Sequence, residues 1–79
     1  MPNLDLYNQA FIRTFNVDES QLNDDFSIET VDKWDSILQL NLVTEVEDAF
    51  DIMLDPEDIL AFKSYKLGKE IVAKHGVDL

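Results

Sequence analysis

The chain has 79 residues, enough for one domain with one core, and it contains no cysteine. The absence of cysteine excludes disulfides, thiolate metal sites and cysteine nucleophiles. With 17 acidic residues against 6 basic ones, the net charge of -11 opposes binding to nucleic acid or to an anionic membrane.

The first part of the chain has the pattern of a helix followed by a long loop. The helix is expected from about Leu4 to Phe15, with a buried face made of Leu4, Tyr7, Phe11 and either Ile12 or Phe15. The loop is expected from Asn16 to Asp35, pinned to the core by Phe26, Ile28 and Val31. A loop of this length is uncommon in a compact domain and is often functional.

The clearest helical pattern begins at Ser36 and ends at about Phe50. Asp35 and Ser36 are both good residues for capping its start. The predicted inward stripe consists of Leu42, Val43, Val46, Ala49 and Phe50. Four acidic residues lie largely away from that stripe: Glu45, Glu47, Asp48 and Asp51.

Two further helices complete the predicted fold. A short one is expected from Pro56 to Ala61, with Asp55 as its cap and with Glu57 and Asp58 at the positive end of its dipole. For the last helix the sequence predicts Ser64 as cap, a buried stripe of Leu67, Ile71 and Val72, a final turn with Lys74 and His75, and Gly76 as C-terminal cap. The predicted fold is all-α, with one domain over residues 1–79, a long first loop and a short third helix.

No segment has the pattern of a secretion signal or of a membrane span. The N-terminal residues lack a basic segment followed by an apolar run, and the unbroken apolar stretches are only a few residues long. We therefore expect a soluble protein of the cytoplasm, without a membrane-spanning segment.

The acidic residues are concentrated in the middle of the chain. Between Trp34 and Phe62 there are eight acids and no lysine or arginine, whereas four of the six basic residues follow Phe62. Two interpretations stay open at this point. The acidic stretch either keeps a small protein in solution or attracts partners that have basic patches.

Most catalytic arrangements lack a necessary residue. The one histidine, His75, stands beside Gly76, where it fits a residue that complements the helix dipole better than a catalyst. No glycine-rich phosphate loop is present. Asp18 and Glu29 are spaced like the ends of a calcium loop, but Leu22 stands where a ligand is needed. We therefore expect neither a metal site nor an enzyme.

One short segment, Trp34-Asp35-Ser36-Ile37, joins the long loop to the second helix. A serine in the first turn of a helix faces free backbone N–H groups and the positive end of the dipole, which would stabilise an attached phosphodiester. A loop-to-helix junction also makes its hydroxyl accessible. The simpler interpretation is that Ser36 only caps the helix, and an Asp-Ser pair taken alone favours it.

In its context, however, this segment resembles the acyl carrier protein family. The resemblance rests on the Asp-Ser pair before a large aliphatic residue, on the acidic helix that ends in Glu47-Asp48-Ala49-Phe50, and on the short helix and the final helix after it. It covers essentially the whole chain. It implies an acyl-carrier-protein-like four-helix bundle in which Ser36 carries a 4′-phosphopantetheine arm from coenzyme A. Acyl intermediates would travel on that arm as thioesters, and four loosely packed helices would be able to part and shelter the cargo.

The resemblance also implies partners. A phosphopantetheinyl transferase would attach the arm, and Asp35 is similar to the family acid that helps dock it. Ile37, Leu40, Glu47 and Asp48 match positions that meet the enzymes which load and transfer the acyl group. The two apolar residues would fill shallow pockets and the two acids would attract basic docking patches. An alternative interpretation is that Ile37 and Leu40 are core residues. We expect the carrier to be a monomer.

The sequence departs from the fatty-acid type of carrier in two places. Where that type continues Asp-Ser-Leu-Asp, this chain has Ile37 and Leu38, and where it has a glutamate five residues after the serine, this chain has Asn41. Trp34 also resembles specialised carriers of secondary metabolism or cell-envelope assembly. The resemblance therefore implies a specialised role in lipid or polyketide biosynthesis. The alternative function is an unmodified acidic helical adaptor that binds a basic protein.

Overall fold

The structure is a computed structural model that describes residues 2–79. Within them it has four α-helices and no β-strand: α1 (Asn3–Phe15), α2 (Ser36–Phe50), α3 (Pro56–Ala61) and α4 (Tyr65–Lys74). One turn of 3-10 helix, Glu19–Gln21, lies in the long loop between α1 and α2. The prediction of an all-α chain with four helices is confirmed, and the arrangement is compatible with a small helical bundle.

Side-chain caps hold the starts of α3 and α4. Oδ1 of Asp55 accepts a hydrogen bond from the backbone N–H of Asp58 at 2.9 Å, and Pro56 follows at the first helical position. Oγ of Ser64 accepts a hydrogen bond from the N–H of Leu67 at 2.9 Å. Each cap satisfies one of the N–H groups that a helix leaves free at its start. Both predicted caps are therefore confirmed.

Residues with left-handed backbone end the longer helices. Asn16 follows α1 with a φ of 55°, and Asp51 follows α2 with a φ of 53°. After α4, Gly76 has a φ of 88°, and the N–H groups of Gly76 and Val77 bond to carbonyls in the last turn of the helix. Because a glycine has no Cβ, it adopts this conformation without strain, and Gly76 ends α4 as predicted.

Aromatic rings fill the centre of the core. The fully buried Phe11 has its ring centroid 5.1–6.2 Å from those of six others, namely Tyr7, Phe15, Phe26, Trp34, Phe62 and Tyr65. Rings at such separations attract each other beyond the gain from burial. Aliphatic side chains close the core from α2 and α4: Leu42, Val43, Val46, Ile71 and Val72.

The buried faces differ from the predicted ones at a few positions. Phe15, and not Ile12, completes the stripe of α1. Leu4, Ile28 and Leu67 are exposed, although each was expected in the core. Leu67 is 42% exposed and lines a groove between α3 and α4.

The long loop is fastened by backbone hydrogen bonds and by apolar side chains. The N–H of Ile28 donates to the carbonyl of Lys63 at 2.9 Å, and the N–H of Tyr65 donates to the carbonyl of Phe26 at 2.8 Å. Between these bonds Ser27 and Ser64 form an isolated antiparallel bridge. The loop is therefore held by this bridge, by the buried Phe26 ring and by Val31, which packs against the core as predicted, while the side chain of Ile28 is exposed.

Candidate functional site at the start of helix α2

Asp35, and not Ser36, caps α2. Oδ1 of Asp35 accepts a hydrogen bond from the N–H of Leu38 at 2.9 Å, and the backbone of Asp35 is extended, with φ −115° and ψ −176°, as in an N-cap residue. Ser36 is therefore the first residue of the helix itself. The interpretation in which Ser36 serves only as the cap is wrong, because the neighbouring carboxylate already does so.

The hydroxyl of Ser36 is exposed and makes no hydrogen bond to another residue in 2–79. The backbone N–H groups of Ser36 and Ile37 likewise have no backbone partner in the described part of the chain. Together with the positive end of the α2 dipole, they make a favourable place for a negatively charged group bonded to Oγ. The site therefore offers an accessible hydroxyl and stabilises an anion attached to it.

Trp34 fixes this junction to the core. Its ring is buried, with its centroid 4.9 Å from that of Phe15 and 6.0 Å from that of Phe26. On the other side of Ser36, the helix is anchored by the buried Leu42. The serine thus lies between two anchored points although it is itself on the surface.

Ile37 and Leu40 lie on the outer face of α2. They are 69% and 57% exposed, so the alternative in which they belong to the core is wrong. With Thr44 and the exposed Asp48 they follow the spacing i, i+3, i+7 and i+11 along one helical face. The structure thus places two of the four predicted docking residues beside Ser36 and leaves them free to contact a partner.

The acids of the predicted docking surface divide into two kinds. Oε2 of Glu47 accepts a hydrogen bond from the N–H of Leu54 at 2.8 Å and so holds the segment between α2 and α3. Asp48 is exposed and forms no ion pair with any residue in 2–79. Asp48 is therefore the freer charge, whereas Glu47 also supports the fold.

Two further exposed apolar side chains, which the sequence analysis missed, lie on the segment that follows α2. Met53 is next to Leu54, which is bonded to Glu47, and Leu60 is next to Ile59, whose carbonyl accepts a hydrogen bond from Nε2 of Gln39 at 2.6 Å. Both bonds join α2 to the chain that follows it. We call Ile37, Leu40, Met53 and Leu60 the α2–α3 surface. Because Met53 and Leu60 lie outside any long periodic pattern, no sequence signal marked them as exposed.

A second group of titratable residues lies away from Ser36. Asp58, expected only to complement the dipole of α3, is 2% exposed and is bonded to the Lys74 ammonium and to Nε2 of His75. The hydrogen bonds from Lys74 and His75 lower the pKa of Asp58, and the hydrogen bond to Asp58 raises the pKa of Lys74. His75 is thus a partner of a buried carboxylate. The two residues are seventeen positions apart, so sequence spacing could not predict this contact.

No cluster of three or more metal-ligating side chains occurs in residues 2–79, and no helix among them is both long and apolar enough to cross a membrane. Comparison with known proteins adds no relative. No protein-family model matches the chain, and neither a curated protein nor a solved structure is significantly similar to it.

Proposed function

We propose that this protein is an acyl carrier protein with an acyl-carrier-protein-like fold, and that Ser36 is the attachment point of its 4′-phosphopantetheine arm. The observation that carries the proposal is the division of roles between neighbours: Asp35 caps α2, which leaves the Ser36 hydroxyl exposed and unpaired at the positive end of the helix. The resemblance of the whole chain to that family, from the Asp-Ser pair to the final helix, supports the same function.

The hydroxyl of Ser36 would be the nucleophile when the phosphopantetheine arm is attached. Oγ of Ser36 bonds to the phosphorus that carries pantetheine in coenzyme A, the pyrophosphate P–O bond breaks, and the nucleotide leaves with the bonding electrons. The proton of the hydroxyl passes to a base of the transferase. The negative phosphodiester that results stays beside the free N–H groups of Ser36 and Ile37, which stabilise it. The terminal thiol of the arm then carries the acyl group as a thioester.

The α2–α3 surface and the nearby acids would receive the partner enzymes. Its apolar side chains are exposed, with Ile37 and Leu40 in the first turns of α2 after Ser36, and they would enter shallow pockets around the entrance of an active site. Asp35 would help dock the phosphopantetheinyl transferase. Asp48, with Glu47, would attract basic patches on partner enzymes, both the transferase and the enzymes that load or transfer acyl groups. This protein would be a tether and not itself an enzyme.

The proposal is tested by incubating the purified protein with coenzyme A and a phosphopantetheinyl transferase of broad specificity. Intact mass should rise by one phosphopantetheine, and Ser36→Ala should show no increase. Asp35→Asn is a matched variant, because asparagine caps a helix as well as aspartate does but carries no charge. It should accept the arm more slowly. An arm found on Ser20 or Ser64 would contradict the assignment of the site.

The second candidate is an unmodified acidic adaptor, which the exposed α2–α3 surface with its acidic surroundings also favours. Such an adaptor would have no need of the hydroxyl. It predicts that the protein keeps its mass in the presence of transferase and coenzyme A, and that Ser36→Ala binds its basic partner as tightly as the parent does.

A further inference from the structure

A groove of about 530 Å³ lies on the long loop between α1 and α2, and all the residues that line it belong to positions 17–33. We call it the loop groove. Its volume is in the range of small-molecule sites in proteins. Three of its lining residues are apolar and also belong to the packing of the core: Phe26 is buried, and Val17 and Val31 are half-buried against the core. The loop groove therefore offers an apolar lining that the core holds in place.

The chain that forms the loop groove leads directly to Ser36. Lys33, the last residue that lines the groove, precedes Ser36 by three positions, so their Cα atoms are at most about 11 Å apart. The N–H of Trp34 donates to the carbonyl of Val31 at 3.0 Å, and this turn keeps Val31 within about 7 Å of Trp34. A phosphopantetheine arm has about 13 bonds between phosphorus and sulfur, or roughly 15 Å at the spacing of an extended backbone. An acyl group on that arm is therefore within reach of the loop groove.

The charged residues of the loop groove disfavour an anionic cargo. Asp25 and Asp32 are exposed and place two carboxylates along it. Among the described residues that line the groove, the one basic residue is Lys33, and its ammonium donates to the carbonyl of Phe15. An acyl group that ends in a carboxylate would meet two like charges and a cation that is already engaged. A neutral acyl group meets no such repulsion.

Two other surface grooves suit an alkyl chain less well. Their volumes are about 280 Å³ and 300 Å³, a little over half that of the loop groove. The smaller one contains the ion pair of Arg13 with Glu45, and the other contains the ion pair of Asp58 with Lys74. Covering charged groups with an apolar chain removes part of their hydration, which opposes binding there.

We propose, on the basis of the carrier function above, that the loop groove is a binding site for a neutral, apolar acyl group while that group is attached to the arm at Ser36. Val17, Phe26 and Val31 would contact the acyl chain, and each methylene removed from water would favour the bound position. Because the arm keeps the acyl group at a high local concentration, a weak attraction is sufficient. The cargo would thus lie against the long loop, and the four helices would keep their packing.

The test compares carriers that differ only in their cargo. The full-length protein is loaded by the transferase from acetyl- and octanoyl-coenzyme A, and intact mass verifies one acylated arm in each form. The backbone amide NMR shifts of Val17, Phe26 and Val31 should differ between the octanoyl and the acetyl form. Amides of the helical core serve as the reference and should not differ: Leu42, Val46 and Val72.

A second pair of cargoes tests the selection by charge. Butyryl and succinyl groups have the same number of carbon atoms, but the succinyl group ends in a carboxylate. The butyryl form should shift the amides of the loop groove relative to the acetyl form, whereas the succinyl form should leave them unchanged, because Asp25 and Asp32 repel it. Equal shifts with both cargoes would overturn the assignment of a neutral cargo.

Substitutions in the long loop connect the shifts with the groove. Val31→Thr places a hydroxyl in the lining at nearly constant volume, so the octanoyl-dependent shifts of Val17 and Phe26 should fall to about half or less. Ile28→Thr is the matched control, because Ile28 is an exposed apolar residue of the same loop that does not line the groove, and it should leave these shifts unchanged. Val17→Thr tests the same lining if Val31→Thr does not fold.

The other outcomes overturn the inference in distinguishable ways. Octanoyl-dependent shifts in the core amides but not in the loop would show that the helices part to admit the chain. Shifts confined to Ala61 and Leu67 would place the chain between α3 and α4, and no shifts at all would leave it in water. In these three cases the carrier function stands. If no arm is attached to Ser36, the carrier function fails, and this inference fails with it.

Discussion

Nε2 of His75 lies 2.7 Å from Oδ2 of Asp58, so the end of α4 is bonded to a buried carboxylate in the first turn of α3. Oδ1 of the same carboxylate is bonded to the ammonium of Lys74. α3 is only six residues long, and apart from Asp58 it is also bonded to α2 through the carbonyl of Ile59, which accepts a hydrogen bond from Gln39. Asp58 is therefore the residue that connects the last two helices electrostatically.

Replacing Asp58 with alanine should destabilise the protein. The substitution leaves His75 and Lys74 without their shared partner and removes the polar connection between α3 and α4. We expect the melting temperature to fall by several degrees in calorimetry. Glu57→Ala is the matched control, because Glu57 is an exposed neighbour in the same turn, and it should change the melting temperature little. Equal effects of the two substitutions would show that the bonds of Asp58 contribute nothing.

The stabilisation that depends on Asp58 should be confined to a window of pH. The pKa of Asp58 is lowered in the folded protein, so its contribution is present above about pH 4 and is lost as the pH falls through the lowered value. The pKa of Lys74 is raised, by Asp58 first and also by Asp55 and Glu57, so its contribution is present below about pH 10 and is lost as the pH rises through the raised value.

This window is measured as the difference in melting temperature between parent and Asp58→Ala across the pH range. Both proteins should carry His75→Asn, so that the imidazole does not titrate in the same experiment. The difference should be largest near neutral pH and should shrink at both ends. A difference that stays constant from acid to alkaline pH would show that packing, and not charge, accounts for the effect of Asp58.

Gly68→Ala should destabilise the protein although alanine is the better helix former. The gain in helix propensity is about 1 kcal/mol. The added methyl group would overlap the Phe62 ring and the Tyr7 hydroxyl, and overpacking of this kind costs about 1–3 kcal/mol. We expect the free energy of unfolding, measured with urea, to fall. Ala73→Gly, at an exposed position of α4, measures propensity alone and should cost about 1 kcal/mol. A more stable Gly68→Ala would mean that the core has unused space.

Glu47 and Asp48 should respond differently to substitution by lysine. Glu47→Lys removes the acceptor of the Leu54 N–H and should lower the free energy of unfolding by about 1 kcal/mol. Asp48→Lys should leave stability almost unchanged, because the side chain is exposed and unpaired among the described residues. It should instead slow the attachment of the arm at low salt, and this loss should shrink at high salt, as expected for an attraction between exposed charges.

We would measure the rate of the transferase reaction for the parent and for each variant at two salt concentrations. Circular dichroism would check that each variant is folded. If Asp48→Lys reacts as fast as the parent at low salt, Asp48 does not take part in docking. The acidic face around it would then serve solubility alone.

The sequence by itself determined the four helices and most of their ends. The apolar repeat of α2, the caps Asp55 and Ser64, and the terminating Gly76 act on atoms only a few residues away, so the local pattern carries the information needed to predict them. The position of Ser36 at the start of a helix follows from the same local signals.

Only the tertiary structure determined how these elements pack and bond with one another. The burial of Asp58 with His75, the bond from Leu54 to Glu47 and the exposure of Leu67 depend on how separate segments meet. The same holds for the six rings around Phe11, which come from α1, the long loop and the chain beyond α3. Periodicity indicates that a face is apolar, but the volume of the side chains on the opposite segment determines whether that face is sealed, and that volume is set by residues far away in the sequence.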